Sequence, residues 1–193
     1  MSAAPDEQLP PEFEGALRTV ADVEFRDDIH VADIPAPAGI APFARAWSAT
    51  IDPRSSDGDH GTARLVILYD PSAPESWSGT FRAVCFAKAP LDQSMGEDPF
   101  LPEVAWSWLM DALAQRGATF SREAGTASTI ISTGFGELES DRVGTEIEMR
   151  VSWSPGGDQL GAHVEAWSEF VGMLAGLPPQ VEGVTALQPG RNR

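Results

Sequence analysis

The sequence holds a single cysteine, Cys85, a single lysine, Lys88, and a single tyrosine, Tyr69. One cysteine excludes an internal disulfide and any cysteine-rich metal site. Basic residues are scarce altogether: 13 Lys plus Arg stand against 29 Asp plus Glu, leaving a net charge of −16. Nucleic-acid binding draws most of its affinity from neutralised phosphates, and the chain has no basic run beyond the arginines of its terminal RNR, so direct contact with DNA or RNA is not expected. Long hydrophobic runs are also missing. The longest aliphatic stretch, Leu65 to Leu68, falls far short of the roughly 20 residues that a bilayer crossing needs. The first residues carry Asp6 and Glu7 where a secretory leader would be basic, and no apolar segment follows; a cytoplasmic location without membrane contact is the expectation.

Catalytic signatures are equally sparse. There is no HExxH, GxSxG, Walker loop or GxGxxG, and TGFGEL around Gly134 and Gly136 lacks the third glycine and the strand-then-helix context that phosphate cradling requires. The three histidines, His30, His60 and His163, are scattered. Asp57, Asp59 and His60 in DGDHG could converge on a hard cation, but an EF-hand would need an acid where Leu68 stands, and a polar turn is the simpler reading. Cys85 sits between Val84 and Phe86 as a buried core thiol rather than a nucleophile. His163, beside the apolar stripe of a helix with Glu165 and Glu169 near, reads as a packed residue. No catalytic residue, metal or cofactor is expected.

What is present is an ordinary globular core. A 42% hydrophobic share over 193 residues suits one domain, placed at residues 11–177 between a flexible lead (1–10) and a tail (178–193). Phe13, Leu17 and Val20 mark a short amphipathic helix from about Pro11 to Val23. The segment from Asp27 to Pro42, with Pro35, Pro37, Gly39 and Pro42, reads as an extended connection. Strands follow at Phe43 to Ile51, at LVILY and at TFRAVCFAKA. Then come the helix LPEVAWSWLMDALAQR stopped by Gly117, strands at TASTIISTGF and TEIEMRVSW, and a helix from about Gln159 to Ala175. In the last, Leu160, Val164, Trp167, Val171 and Leu174 form one stripe. The expected fold is α+β, a five-stranded antiparallel sheet with helices packed mainly on one face, in the order α-β-β-β-α-β-β-α.

The middle helix carries two apolar stripes. Leu101, Val104, Ala105, Trp108 and Ala112 should lie on the sheet, while Trp106, Met110 and Leu113 point elsewhere. Trp and Met are enriched where partners dock, so Trp106, Met110 and Leu113, extended by Met95 in the preceding loop, are the candidate interaction surface.

The blocks EDPFLPEVAWSWLMDAL, STIISTGFGEL, IEMRVSWSP and HVEAWSEFVGMLAGLPP resemble an actinobacterial family of unknown function, numbered three-thousand in its series, over about Pro11 to Val184. The resemblance implies membership without a biochemical role. The resemblance also implies a ribonuclease D-like protein encoded beside members of the family, and with it an RNA-processing context. The element order is also similar to that of type III secretion chaperone-like proteins, which are small acidic dimers with the middle helix at the dimer interface; that likeness implies an architecture only. The expectation is therefore a non-enzymatic, chaperone-like adaptor that binds a protein partner or a second copy of itself. The alternative is an enzyme or small-ligand protein in which Arg82, Lys88 and Arg150 hold an anion on the sheet face. A pocket containing all three would favour the second, a flat open sheet the first.

Overall fold

A computed structural model describes residues 9–51, 61–138, 144–157 and 159–177. Helix α1 (Pro11–Ala21) begins at a proline, whose missing N–H is harmless in a first turn. Four strands follow, β1 (Ile29–Ile34), β2 (Phe43–Ile51), β3 (Thr62–Tyr69) and β4 (Phe81–Leu91). The chain continues through a single helical turn, α2 (Gln93–Gly96), and helix α3 (Leu101–Gln115). Strands β5 (Phe120–Ser132) and β6 (Gly144–Pro155) and helix α4 (Leu160–Leu174) complete it. All strand pairings are antiparallel, and the sheet runs β1-β2-β3-β4-β6-β5.

Among the described residues the sheet therefore has six strands, not the five expected, and the long elements follow the order α-β-β-β-β-α-β-β-α. The additional strand is β1, inside the segment read as a connection. It pairs with β2 from Ile29 opposite Ile51 to Ile34 opposite Ala46. Pro35 and Pro37 lie just beyond its last residue. They end the strand rather than interrupt it, and an edge strand has one side on which no ladder bond is needed.

Alternation assigns the faces. In β4, Phe81, Ala83, Cys85, Ala87 and Ala89 are buried while Arg82, Val84, Phe86 and Lys88 are not; in β6, Ile147, Met149, Val151 and Trp153 are buried between Glu146, Glu148, Arg150 and Ser152. The buried set meets the helices, and the other set faces outward. Helix α4 is the centre of the helical layer. Leu160, Val164, Trp167, Val171 and Leu174 all lie in the core, and α4 packs against both α1 and α3. The α1 contact is tight because Gly161 has no side chain: its N–H donates to Thr19 Oγ1 at 2.8 Å, and a Cβ there would stand 2.3 Å from the Thr19 carbonyl oxygen. On the α3 side, Arg116 bridges to Glu165 (2.7 Å) and Glu169 (3.0 Å). Gly117 ends α3 at φ +65°, with Ala118 N–H donating back to the Leu113 carbonyl. Phe13 of α1 stacks on Tyr69 at 5.2 Å, and the Tyr69 hydroxyl donates to Glu12. Burial, reinforced by that carboxylate, pushes the phenol up to about 12.

Candidate functional site

The groups able to do covalent or acid–base chemistry are inside the core. Cys85 is buried and its thiol is pushed up to about 12 by desolvation. The Trp167 indole N–H leans toward the sulfur and slightly opposes that shift without completing a hydrogen bond. His163 accepts from Trp153 Nε1 at 3.2 Å through Nδ1, so the neutral ring carries its proton on Nε2. Burial pulls its pKa down to about 4; the nearby Thr119 backbone offsets this in part, without a completed hydrogen bond at Nε2. Neither residue opens to a substrate. Among the described residues no group of His, Cys, Asp and Glu is placed to hold a metal ion. Asp57, Asp59 and His60 lie outside the described residues. No described helix is long and apolar enough to cross a membrane.

The three basic residues of the ligand alternative do share the outward sheet face, but they do not converge. Arg82 and Lys88 stand six positions apart on β4, about 20 Å at ~3.3 Å per residue. Each has its own partners. Arg82 donates to the Arg122 carbonyl and to the hydroxyls of Ser152 and Ser154. Lys88 faces Glu146 at 3.5 Å, and Arg150 holds Glu148 at 2.7 Å while lying over the Phe86 ring. A shallow depression of about 570 Å³ opens on this face, lined by Val84, Phe86, Ala124, Thr126, Arg150 and Ser152 among others. It contains one of the three cations.

The candidate interaction surface on α3 divides. Leu113 is fully buried and belongs to the chain's own core, as does Leu109. Leu113 lies close to Trp106 on the helix wheel, yet the one is fully buried and the other only half-buried. Val104, expected on the sheet, is instead exposed, and Trp108 is only half-buried. The buried arc is Leu101, Ala105, Leu109, Ala112 and Leu113, because α3 is clasped between the sheet and α4 rather than resting on the sheet alone. Trp106 and Trp108 flank this arc on opposite sides at about 100° per residue. Trp106 lies over β5: a Cβ on Gly125 would come within 3.1 Å of its ring. Met110 is half-buried beyond it, and Met95 on α2 is 44% exposed.

Sequence reasoning missed what borders these residues. Phe100 at the start of α3 is 65% exposed, Ile131 near the end of β5 is 68% exposed, and Phe135 just after it is 80% exposed. β5 itself is exposed over most of its 13 residues and forms an edge of the sheet. The readable signal was the stretch AGTASTIIS, which carries no charge in so acidic a chain. The family described as "Protein of unknown function (DUF3000)" matches residues 9–185. No curated protein and no solved structure matches the chain.

Proposed function

Because the chain belongs to the DUF3000 family, whose function is unknown, we propose from its own residues that it is a non-enzymatic adaptor, chaperone-like in acting through protein–protein contacts. The observation that carries this is the set of exposed apolar side chains Met95 on α2, Phe100 just before α3, Val104 on α3, Ile131 on β5 and Phe135 just after it, with the half-buried Trp106 and Met110 on α3. Large exposed apolar side chains grouped on adjoining elements mark binding surfaces more often than scattered ones do. The reading is supported by the inert burial of Cys85 and His163 and by the separation of Arg82, Lys88 and Arg150, the last two paired with Glu146 and Glu148 and the first held by neutral acceptors. An actinobacterial source remains part of this reading, but the likeness to type III secretion chaperone-like proteins lends it no support, because β1 changes the element order on which that likeness rested. A cytoplasmic site of action fits the acidic composition.

The test is site-specific photo-crosslinking in native extract. A photoreactive residue at position 100 should give discrete protein adducts, and one at the exposed Arg18 on α1 should give none. Equal, diffuse labelling from both positions would remove the binding surface. Phe135→Ser, which leaves the core untouched, should weaken the adducts formed at position 100.

A further inference from the structure

The two edges of the sheet are built differently. β1 is short, at 6 residues, carries Asp33, follows Asp27 and Asp28, and is closed by Pro35 and Pro37. Short length, charge and proline are the devices that keep an edge strand from pairing with another chain. From Ala124 onward β5 has none of them. It is 13 residues long, and from Ala124 to Ser132 it carries neither charge nor proline. Its irregular part is confined to the other end, where the register shifts between Ser121 and Ala124 and Arg122 adopts φ +56°. There Arg122 is tied down by its own contacts, donating from Nε to Ser78 Oγ and accepting from Arg82 at its carbonyl. Beyond the bulge the strand is regular, is hydrogen-bonded to β6 on one side, and among the described residues has no strand on the other.

We propose that this edge pairs with the same edge of a second copy of the chain, antiparallel about Ser128, to give one continuous sheet across a twofold axis. Three observations choose a second copy over another occupant. The first is charge. Two chains at −16 repel, so a segment that meets itself must add no carboxylate of its own, and Ala124 to Ser132 adds none, while Glu148 and Glu146 across from it on β6 are held by Arg150 and Lys88. The second is register. Antiparallel pairing places residues of one face opposite residues of the same face, and a twofold at Ser128 centres the uncharged stretch on itself. The third is shape. That register sets Gly125 opposite the partner's Ile131, and both positions belong to the helix-side face, Gly125 aligned with Val151 and Ile131 with Thr145. Ile131, 68% exposed in the single chain, then meets the one position on the strand that has no side chain and is overlaid by the Trp106 ring. Thr126 falls opposite the partner's Ile130 on the outward face. Ile131 and Trp106 so acquire a common purpose that neither has alone. The inference rests on reading this end of the molecule as a binding surface, and it names the partner as the chain itself.

The experiment uses the full chain. Wild type should sediment at twice the 20.6 kDa chain mass and associate more tightly as salt rises. Ser128→Glu places two carboxylates against each other on the axis and changes only an exposed side chain in the monomer. It should keep its circular dichroism and a cooperative melt, and raise the dimer dissociation constant at least about tenfold. Thiol crosslinking with a short bifunctional reagent checks the register, since buried Cys85 is silent. Ser128→Cys should couple to itself, Thr126→Cys alone poorly, and an equal mixture of Thr126→Cys with Ile130→Cys efficiently. A wild type that stays monomeric at its solubility limit in high salt overturns the proposal. So does a dimer indifferent to Ser128→Glu, or one in which Thr126→Cys couples to itself as well as Ser128→Cys does. If Ser128→Glu fails to fold, the crosslinking pattern decides. A monomer that still gives protein adducts from position 100 would sink the dimer and leave the adaptor reading standing; crosslinks from position 128 to a foreign chain would assign the edge to another protein.

Discussion

His163 makes the acid stability of this protein calculable. Its ring is in the core, its Nδ1 is committed to accepting from Trp153, and its pKa falls from 6.5 to about 4. As pH drops below 6.5, the unfolded chain takes up a proton at this residue that the folded chain refuses until about 4. The unfolded state therefore binds more protons throughout that window, and folding stability falls as pH falls through it. Carried across the whole interval, the loss approaches about 3 kcal/mol, a large part of the roughly 5–15 kcal/mol that holds a domain together. Above pH 6.5 the contribution is complete and flat.

The assay is urea unfolding, followed by tryptophan fluorescence, at closely spaced pH values from 7.5 to 4.5 for wild type and His163→Asn. Asparagine presents an oxygen to the Trp153 N–H and does not titrate. All carboxylates, and His30 and His60, are common to both proteins, so the difference between the two curves isolates His163. Wild type should lose stability relative to the variant as pH falls from 6.5, with the gap widening to about 2 kcal/mol near pH 5. Parallel curves would refute the burial argument. A gap that widens toward high pH would mean that the folded ring is the better base, with a partner not seen here.

Gly161→Ala should lower stability by about 1–3 kcal/mol, read as a drop in melting temperature, because the new Cβ meets the Thr19 carbonyl at 2.3 Å and neither helix can yield without losing core contacts. Cys85 should react with a thiol reagent at pH 8 only as fast as the native chain opens, and Cys85→Ala should cost about 1 kcal/mol without altering binding. Leu113→Ala should cost about 2–5 kcal/mol by cavity formation, whereas Phe100→Ala and Phe135→Ala should stay within about 0.5 kcal/mol of wild type in urea.

The layered plan was legible where periodicity was strong. Alternation in Ile147, Met149, Val151 and Trp153 fixed both the strand and its buried face, and the stripe from Leu160 to Leu174 fixed α4. β1 was not legible, because IHVADI is a short run ahead of three prolines, and local composition outweighed a pairing that only β2 can supply. Tertiary partners settle such strands more than their own propensity does.

The same limit explains the divided reading of α3. A helical wheel assumes one surface beneath the helix, and on that assumption Leu113 and Trp106 belong together, away from the sheet. α3 in fact has two neighbours, α4 and the sheet, so its buried arc is wider than one stripe and takes in Leu109 and Leu113 as well. Trp106 stays at the margin because β5 offers it a glycine. Gly125 removes the side chain that would otherwise lift the helix away, since a Cβ there would meet the Arg150 carbonyl at 2.6 Å and the Trp106 ring at 3.1 Å. An edge strand with a glycine under a tryptophan, an uncharged flank and an exposed isoleucine six positions on is a local pattern. Its meaning depends on β5 being at the edge, and the edge is set by β6 inserting between β4 and β5. That insertion is a long-range event with no signature in the residues of β5, which is why the sequence pointed to the helix while the structure adds the strand beside it.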